Sequence, residues 1–201
     1  QAGAAPRGGR WDGFKTDPSW VPFELVTDTT LVLPVSVNGA PTNAIVDSGS
    51  GATIISVGLA RQLGLGIEER RRIRGLSARA EVRLAYDVEL GVGHERGRLP
   101  FVVVTDLTLF SAGLGRPIDV LLGSDLLERY AVAIDFDHRR LALAPSGAFS
   151  GAGAWLPLPV EIGSYHELLT SIDIAGTSAT LMIDLGSTAS LMLSPAFVEE
   201  H

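Results

Sequence analysis

Cysteine is absent from these 201 residues. Disulfides and thiolate zinc sites are excluded with it, and either redox compartment stays open. Histidine is scarce: the four, at 94, 138, 166 and 201, share no metal-ligand spacing. A metal hydrolase or a Ser-His-Asp enzyme therefore has little support, and no metal or other cofactor is called for. Charged residues make up only 19% of the chain, and the formal net charge is -7. Nucleic-acid binding needs Lys and Arg clusters against phosphates, so this balance argues against it. The one dense basic run, Arg70-Arg71-Arg72 with Arg74, follows Glu68 and Glu69. It reads as a solvated loop or strand start, with a substrate or partner patch as the alternative. No apolar run approaches the roughly 20 residues that span a bilayer. The glycine-rich stretches lack the strand-to-helix setting of a phosphate loop.

What is present is apolar: 46% of the residues are hydrophobic. That suits a packed globular protein with room for one large or two small domains. Residues 1–22 are rich in Gly, Pro and Arg and read as an arm. Phe23 to Val37 alternates as a strand, with Leu31, Leu33, Val35 and Val37 on one face. Asn38-Gly39 signals a tight hairpin, and Thr42 to Val46 returns. Ser56 is placed to cap a helix from Val57 to Leu63, ended by Gly64. Ile73 to Leu90 reads as two strands around Gly75-Leu76-Ser77-Ala78. Pro100 to Thr105 is a Val-rich strand, Leu107 to Arg116 a loop, and Val120 to Leu122 another strand. Asp125, Asp135 and Asp137 read as helix-cap or turn acids.

Residues 145–156 look like a linker, and beyond them the pattern restarts. Thr170-Ser171-Ile172-Asp173-Ile174-Ala175-Gly176 follows the pattern of Leu33-Pro34-Val35-Ser36-Val37-Asn38-Gly39. Gly176 follows Gly39, and Asp184 follows Asp47, at the same spacing. An internal repeat of this kind governs the fold reading. Ser194-Pro195-Ala196-Phe197 then starts a helix.

Two segments carry chemistry. The first is Ala44-Ile45-Val46-Asp47-Ser48-Gly49-Ser50-Gly51, an apolar strand running into an acid, a hydroxyl residue and a glycine. The second is Leu181-Met182-Ile183-Asp184-Leu185-Gly186-Ser187-Thr188. An acid at the end of a buried strand is costly unless something pairs with it. Two such acids brought together can share one proton and work as an acid/base pair. An Asp-Ser-Gly by itself also makes an ordinary turn.

The first segment resembles the Asp-Thr/Ser-Gly loop of aspartic proteases, most closely the retropepsin-like proteins of bacteria and retroviruses. The resemblance continues downstream. Asp119-Val120-Leu121-Leu122-Gly123-Ser124-Asp125-Leu126-Leu127 is similar to that family's hydrophobic-hydrophobic-glycine segment and following helix. Tyr130 to Phe136 with Arg140 to Leu143 is similar to its closing hairpin. The resemblance implies an all-β fold: a retropepsin-like barrel lobe over residues 23–144, and the start of a second lobe over 157–201.

It also implies hydrolysis of peptide bonds in a polypeptide substrate, with Asp47 and Asp184 as the catalytic acids and no cofactor. Gly49 then lets the backbone turn beside the acid, Ser48 ties the two acid loops together, and Ser50 bonds the Asp47 carboxylate. Gly186 and Ser187 play the supporting parts in the second loop. Leu122 and Gly123 pass under the first loop, and Gly75, Leu76, Ser77 and Ala78 form a flap over bound peptide.

Leu185 departs from the pattern, because leucine cannot make the loop-to-loop hydrogen bond. Two completions of the acid pair stay open: Asp47 with Asp184, or Asp47 with Asp47 of a second chain in a homodimer. An inactive peptide-binding module, in which the pair never assembles, is the rival reading. The opening Gln1-Ala2-Gly3-Ala4-Ala5-Pro6 suits the end left by signal-peptide removal, which points to an exported bacterial protein. The second lobe lacks its Leu-Leu-Gly segment, so the parent protein is expected to continue past His201.

Overall fold

The computed structural model describes residues 14–15, 18–74, 79–149 and 156–200. The expected flap tip, Gly75 to Ala78, lies outside them, as do most of the arm and residues 150–155 of the linker. Asn38 and Gly39 take φ values of 48° and 82°. Two successive left-handed residues match the twist of antiparallel strands. Their turn joins β3 (Thr30–Val37) to β4 (Ala40–Val46) and sets Val37 opposite Ala40. The single strand expected from Phe23 to Val37 is broken. β2 (Glu24–Val26) ends where Thr27 and Asp28 turn the chain at φ 52° and 63°.

β4 runs into the Asp47 loop, and β5 (Ile54–Ser56) and α1 (Val57–Gln62) follow. Ser56 Oγ accepts the Leu59 N–H at 3.0 Å, so the expected cap is present. β6 (Ile67–Arg74), β7 (Arg79–Val92) and β8 (Glu95–Thr105) make two long hairpins. β8 begins ahead of Pro100. The ladder passes from Tyr86–Phe101 to Val88–Leu99, skipping Pro100 and Asp87, so the missing proline N–H costs no ladder bond.

Residues 107–116, expected as a loop, contain helix α2 (Thr108–Leu114). Asp106 Oδ1 accepts the Thr108 N–H at 2.9 Å, and Gly115 ends the helix at φ 64°. The N-cap is Leu107, which offers no capping side chain, so the sequence carried no start signal there. β9 (Val120–Leu122), α3 (Ser124–Leu127), β10 (Tyr130–Asp135) and β11 (Arg140–Pro145) follow.

The large sheet runs β2-β3-β4-β9-β5-β8-β7-β6, and pairing of β3 with β7 closes six of its strands into a barrel. Gly91 sits at that closure opposite Ser36, where a Cβ would displace the Ser36 hydroxyl and the Arg96 guanidinium. β9 is wholly buried between β4 and β5, as a three-residue apolar run suggests. Residues 20–22, read as the end of the arm, form β1 (Trp20–Pro22), which pairs with β11 beside β10. Buried Asp135 ties that hairpin: its Oδ2 accepts from Arg140 Nε at 3.1 Å and lies 2.8 Å from His138 Nδ1.

The second unit holds β12 (Glu161–Ile162), β13 (Leu168–Ile174), β14 (Thr177–Met182) and α4 (Pro195–Glu200). Its strands form a separate sheet in that order. Ala175 and Gly176 repeat the left-handed pair at φ 52° and 89°. The Phe197 N–H bonds Ser194 Oγ at 3.1 Å, as Leu59 bonds Ser56. Among the described residues no helix is long and apolar enough to cross a membrane.

Candidate active site

The site is built where β4 and β14 each end in an acid. The Asp47 N–H donates to the Leu122 carbonyl at 3.0 Å, so β9 fixes the first acid's backbone. Asp47 Oδ1 accepts from the N–H groups of Gly49 and Ser50 at 3.1 and 3.2 Å. In the second loop Asp184 Oδ1 accepts from the Gly186 N–H at 2.8 Å. Each glycine also faces the opposite acid. A Cβ on Gly49 would overlap the Asp184 carboxyl, and one on Gly186 would overlap that of Asp47. Only the missing side chains let the two loops cross this closely.

The electrostatics follow from that crossing. Asp47 is half-buried, and its carboxyl is held above its ordinary value of 3.8. Burial is the main cause, the Asp184 charge is next, and a hydrogen bond with Asp184 adds to both. The Gly49 and Ser50 N–H groups pull the other way without cancelling the rise. The Asp184 carboxyl is thus close enough to Asp47 to act on it both through its charge and through a hydrogen bond.

Ser48 is almost fully buried, and its Oγ donates to the Ile183 carbonyl at 2.9 Å and accepts the Leu185 N–H at 2.9 Å. Leu185 instead packs its side chain against the first lobe's core. Ser50 takes a different part from the one expected of it. Its hydroxyl donates to the Ala52 carbonyl at 2.7 Å, and it is the Ser50 backbone N–H that reaches Asp47. Ser187 does likewise, its hydroxyl donating to the Ala189 carbonyl at 3.3 Å. Gly123 lies under the loop, where a Cβ would overlap the Ala52 carbonyl group and the Thr53 nitrogen.

Sequence reasoning missed three supporting residues. Ser124, fully buried, donates from Oγ to the Ser48 carbonyl at 2.7 Å, and its N–H donates to the Ser50 carbonyl at 2.8 Å. Thr53, also fully buried, accepts the Gly123 N–H at 3.1 Å and donates to Asp125 Oδ1 at 2.7 Å. Burial raises the Asp125 carboxyl, and the bonds from Thr53 and Leu126 partly offset it. The only sequence signal was position: Ser124 and Asp125 directly follow Leu122-Gly123.

The family model described as aspartyl protease matches residues 33–126, a span that holds the Asp47 loop, β9 and most of α3. Over that span the chain is similar to aspartyl proteases. Similar curated proteins include DNA damage-inducible protein 1 of Eremothecium gossypii, 33% identical over 129 residues. That match covers 62% of this chain and 25% of the relative. The UBA domain-containing protein Mud1 of Schizosaccharomyces pombe is 33% identical over 163 residues, covering 80% of this chain and 44% of that protein. The chain thus spans less than half of these relatives' length. Both are fungal, so they lend no support to the bacterial origin expected from the sequence.

Among solved structures, a retropepsin-like aspartic protease from Rickettsia conorii aligns with a TM-score of 0.47 at 19% identity. It covers 65% of this chain and 93% of that one. The retroviral protease-like domain of Ddi1 from Leishmania major gives 0.40 at 20% identity, covering 59% and 97%.

Proposed function

We propose that this retropepsin-like chain is an aspartic endopeptidase that hydrolyses peptide bonds in extended polypeptides, with Asp47 and Asp184 as its acid/base pair. The observation that carries this reading is the reciprocal crossing of the two loops, each glycine seated on the opposite carboxyl. Aspartic proteases are the type case of two carboxyls that share one proton because both cannot ionise side by side. Here the two crossed carboxyls are placed to share that proton, and neither holds it alone. A water between them loses a proton to the ionised carboxylate as its oxygen attacks the peptide carbonyl carbon. The protonated carboxyl donates to the carbonyl oxygen, giving a tetrahedral diol. Collapse of the diol breaks the C–N bond as a proton passes to the leaving nitrogen. The proton count of the pair is restored at the end, and no covalent intermediate forms.

The rival reading, a module whose pair never assembles, rested on Leu185. Its backbone N–H is held by Ser48 all the same, so the leucine does not free the second loop. The test is peptide cleavage from acid to neutral pH, with and without a pepstatin-type inhibitor. Asp47→Asn and Asp184→Asn should each lower the rate by at least about 10²-fold, the usual scale of acid–base catalysis. Cleavage by Asp47→Asn at the parent's rate would remove the proposal.

A further inference from the structure

The hairpin of β6 and β7 gathers positive charge on a chain that is acidic as a whole. Six of the chain's 16 Lys and Arg residues lie within residues 70–83, with Glu81 as the one acid among them, although the formal net charge is -7. The ladder says which of them share a face. Arg74 stands directly opposite Arg79, Ile73 opposite Ala80, Arg72 opposite Glu81, and Arg71 opposite Val82. Residues directly paired across strands, and residues two apart along one strand, lie on the same face. One face therefore carries Arg72, Arg74, Arg79 and Glu81, and the other carries Arg71, Ile73, Ala80 and Val82. A register shift between Glu68 and Arg71 separates this outer part of the hairpin from Glu68 and Glu69. Like charges set directly opposite one another destabilise a sheet. Arg74 and Arg79 are such a pair, Arg72 shares their face, and the single carboxylate of Glu81 cannot balance three guanidiniums.

We propose that this face takes an acidic segment of an extended polypeptide, one with carboxylates on alternate residues, and so sets the substrate class of the chain. This rests on the endopeptidase reading and adds which polypeptides are taken. Residues two apart on a strand stand about 6.5 Å apart, the same repeat as alternate side chains in any extended peptide. Arg72 and Arg74 therefore match Glu or Asp residues two apart in a peptide lying along the hairpin. Among the described residues β6 is the last strand of its sheet, with its outer edge unpaired, which suits the addition of an extended segment. The hairpin is also tied to the acid site. β7 runs on to set Leu84 opposite Val103, and the Val103 N–H donates at 3.0 Å to the carbonyl of Thr53, on the segment that leaves the Asp47 loop. The attraction is local, since the chain as a whole is acidic, so it fixes where the acidic segment lies. Three arginines suit the two or three carboxylates of a short peptide segment. A nucleic acid, charged at every nucleotide, would carry most of its charge against an acidic protein. Charge on an edge strand also keeps other strands off, but that service gains nothing from two arginines set opposite each other.

The experiment is equilibrium binding of two labelled peptides of equal length, read by fluorescence anisotropy at neutral pH and low salt. One peptide has Glu at alternate positions, and the other has Gln in their place. The 201-residue chain carries Asp47→Asn so that the peptides stay intact. The Glu peptide should bind about tenfold more tightly, and the margin should shrink as salt rises. Arg74→Gln and Arg79→Gln should each weaken the Glu peptide about threefold, the scale of an exposed ion pair, and leave the Gln peptide unchanged. Each should also stabilise the fold, because the like-charge pair is relieved. Equal affinity for the two peptides, or no binding of either, would overturn the proposal, and that comparison needs no arginine variant to fold. A gain in stability with no loss of Glu-peptide affinity would overturn it too, leaving the arginines as guards of the edge. So would displacement of the Glu peptide by an oligothymidylate of matching charge at equal concentration. Cleavage by the parent separates this proposal from the reading beneath it. Equal kcat/KM on the Glu and Gln peptides would keep the peptidase reading and remove the acidic preference. Binding of the Glu peptide through Arg74 and Arg79 with cleavage of neither peptide would remove the peptidase reading and keep the acidic-peptide site.

Discussion

Gly186 lies directly against the carboxyl of Asp47, with no room between them for a methyl group. The carboxyl is held in place by the Gly49 and Ser50 N–H groups, which resist its swinging away. Gly186→Ala should therefore push the Asp184 loop off the first lobe. We expect peptide cleavage to fall by about 10²-fold or more, the scale set by loss of a positioned acid or base. Far-ultraviolet circular dichroism should change little, because the first lobe's barrel does not include this loop. A fully active Gly186→Ala would mean that the two loops do not cross this closely.

The stability of the fold should carry the sign of the Asp47 shift. Its carboxyl sits above 3.8 in the folded chain, so the folded state holds a proton that the unfolded state releases. As pH rises from about 3.8 through the folded value, ionising Asp47 costs stability. Asp47→Asn removes that cost while an amide oxygen can still accept from Gly49 and Ser50. The variant should be more stable than the parent near neutral pH, and the difference should shrink as pH falls below the unfolded value. Urea melts at several pH values would show this. A variant less stable than the parent at neutral pH would contradict it.

Thr53 is the hinge between the Gly123 backbone and Asp125, and it is wholly buried. Thr53→Val keeps the shape but leaves the Gly123 N–H without a partner and Asp125 without its short bond. The expected loss is about 2 kcal/mol, the cost of a stranded buried polar group. Thr53→Ser retains the hydroxyl and should lose less. Equilibrium unfolding of the two variants side by side separates the hydroxyl from the methyl.

Gly123→Ala places a Cβ on the Ala52 carbonyl group, and a backbone neighbour cannot turn aside. Overpacking of this kind costs about 1–3 kcal/mol. The strain falls on the loop that follows Asp47, so cleavage should drop by more than stability alone explains. Activity normalised to the folded fraction is the measurement. Activity that tracks the folded fraction would show that Gly123 matters for packing only.

Much of the site was legible because it is local. Asp47, Gly49 and their N–H bonds lie within one turn, and Asn38-Gly39 fixes the hairpin register that delivers them. The β9 run read as a strand, and its place between β4 and β5 is what buries it on both faces. The break at Thr27 and Asp28 was not legible, since a β-branched residue such as Thr27 rarely takes a φ of 52° and the lone Asp28 is a weak turn signal. Helix α2 was missed because Gly113 and Gly115 read as loop signals, while Gly115 in fact closes the helix. Ser50 was assigned the right acid through the wrong atom, because composition cannot say whether a hydroxyl or its own N–H points inward.

The repeat of turn and acid, and the glycine two residues beyond each acid, are properties of the amino-acid order, since both are short-range patterns that any folded form must accommodate. Whether the two acids meet was decided by packing. Ser48 reaches Ile183 and Leu185 across more than a hundred residues. Pairing of β3 with β7 closes the barrel from which β4 delivers its acid. Contacts of that range depend on how the sheets stack, and no local pattern encodes them.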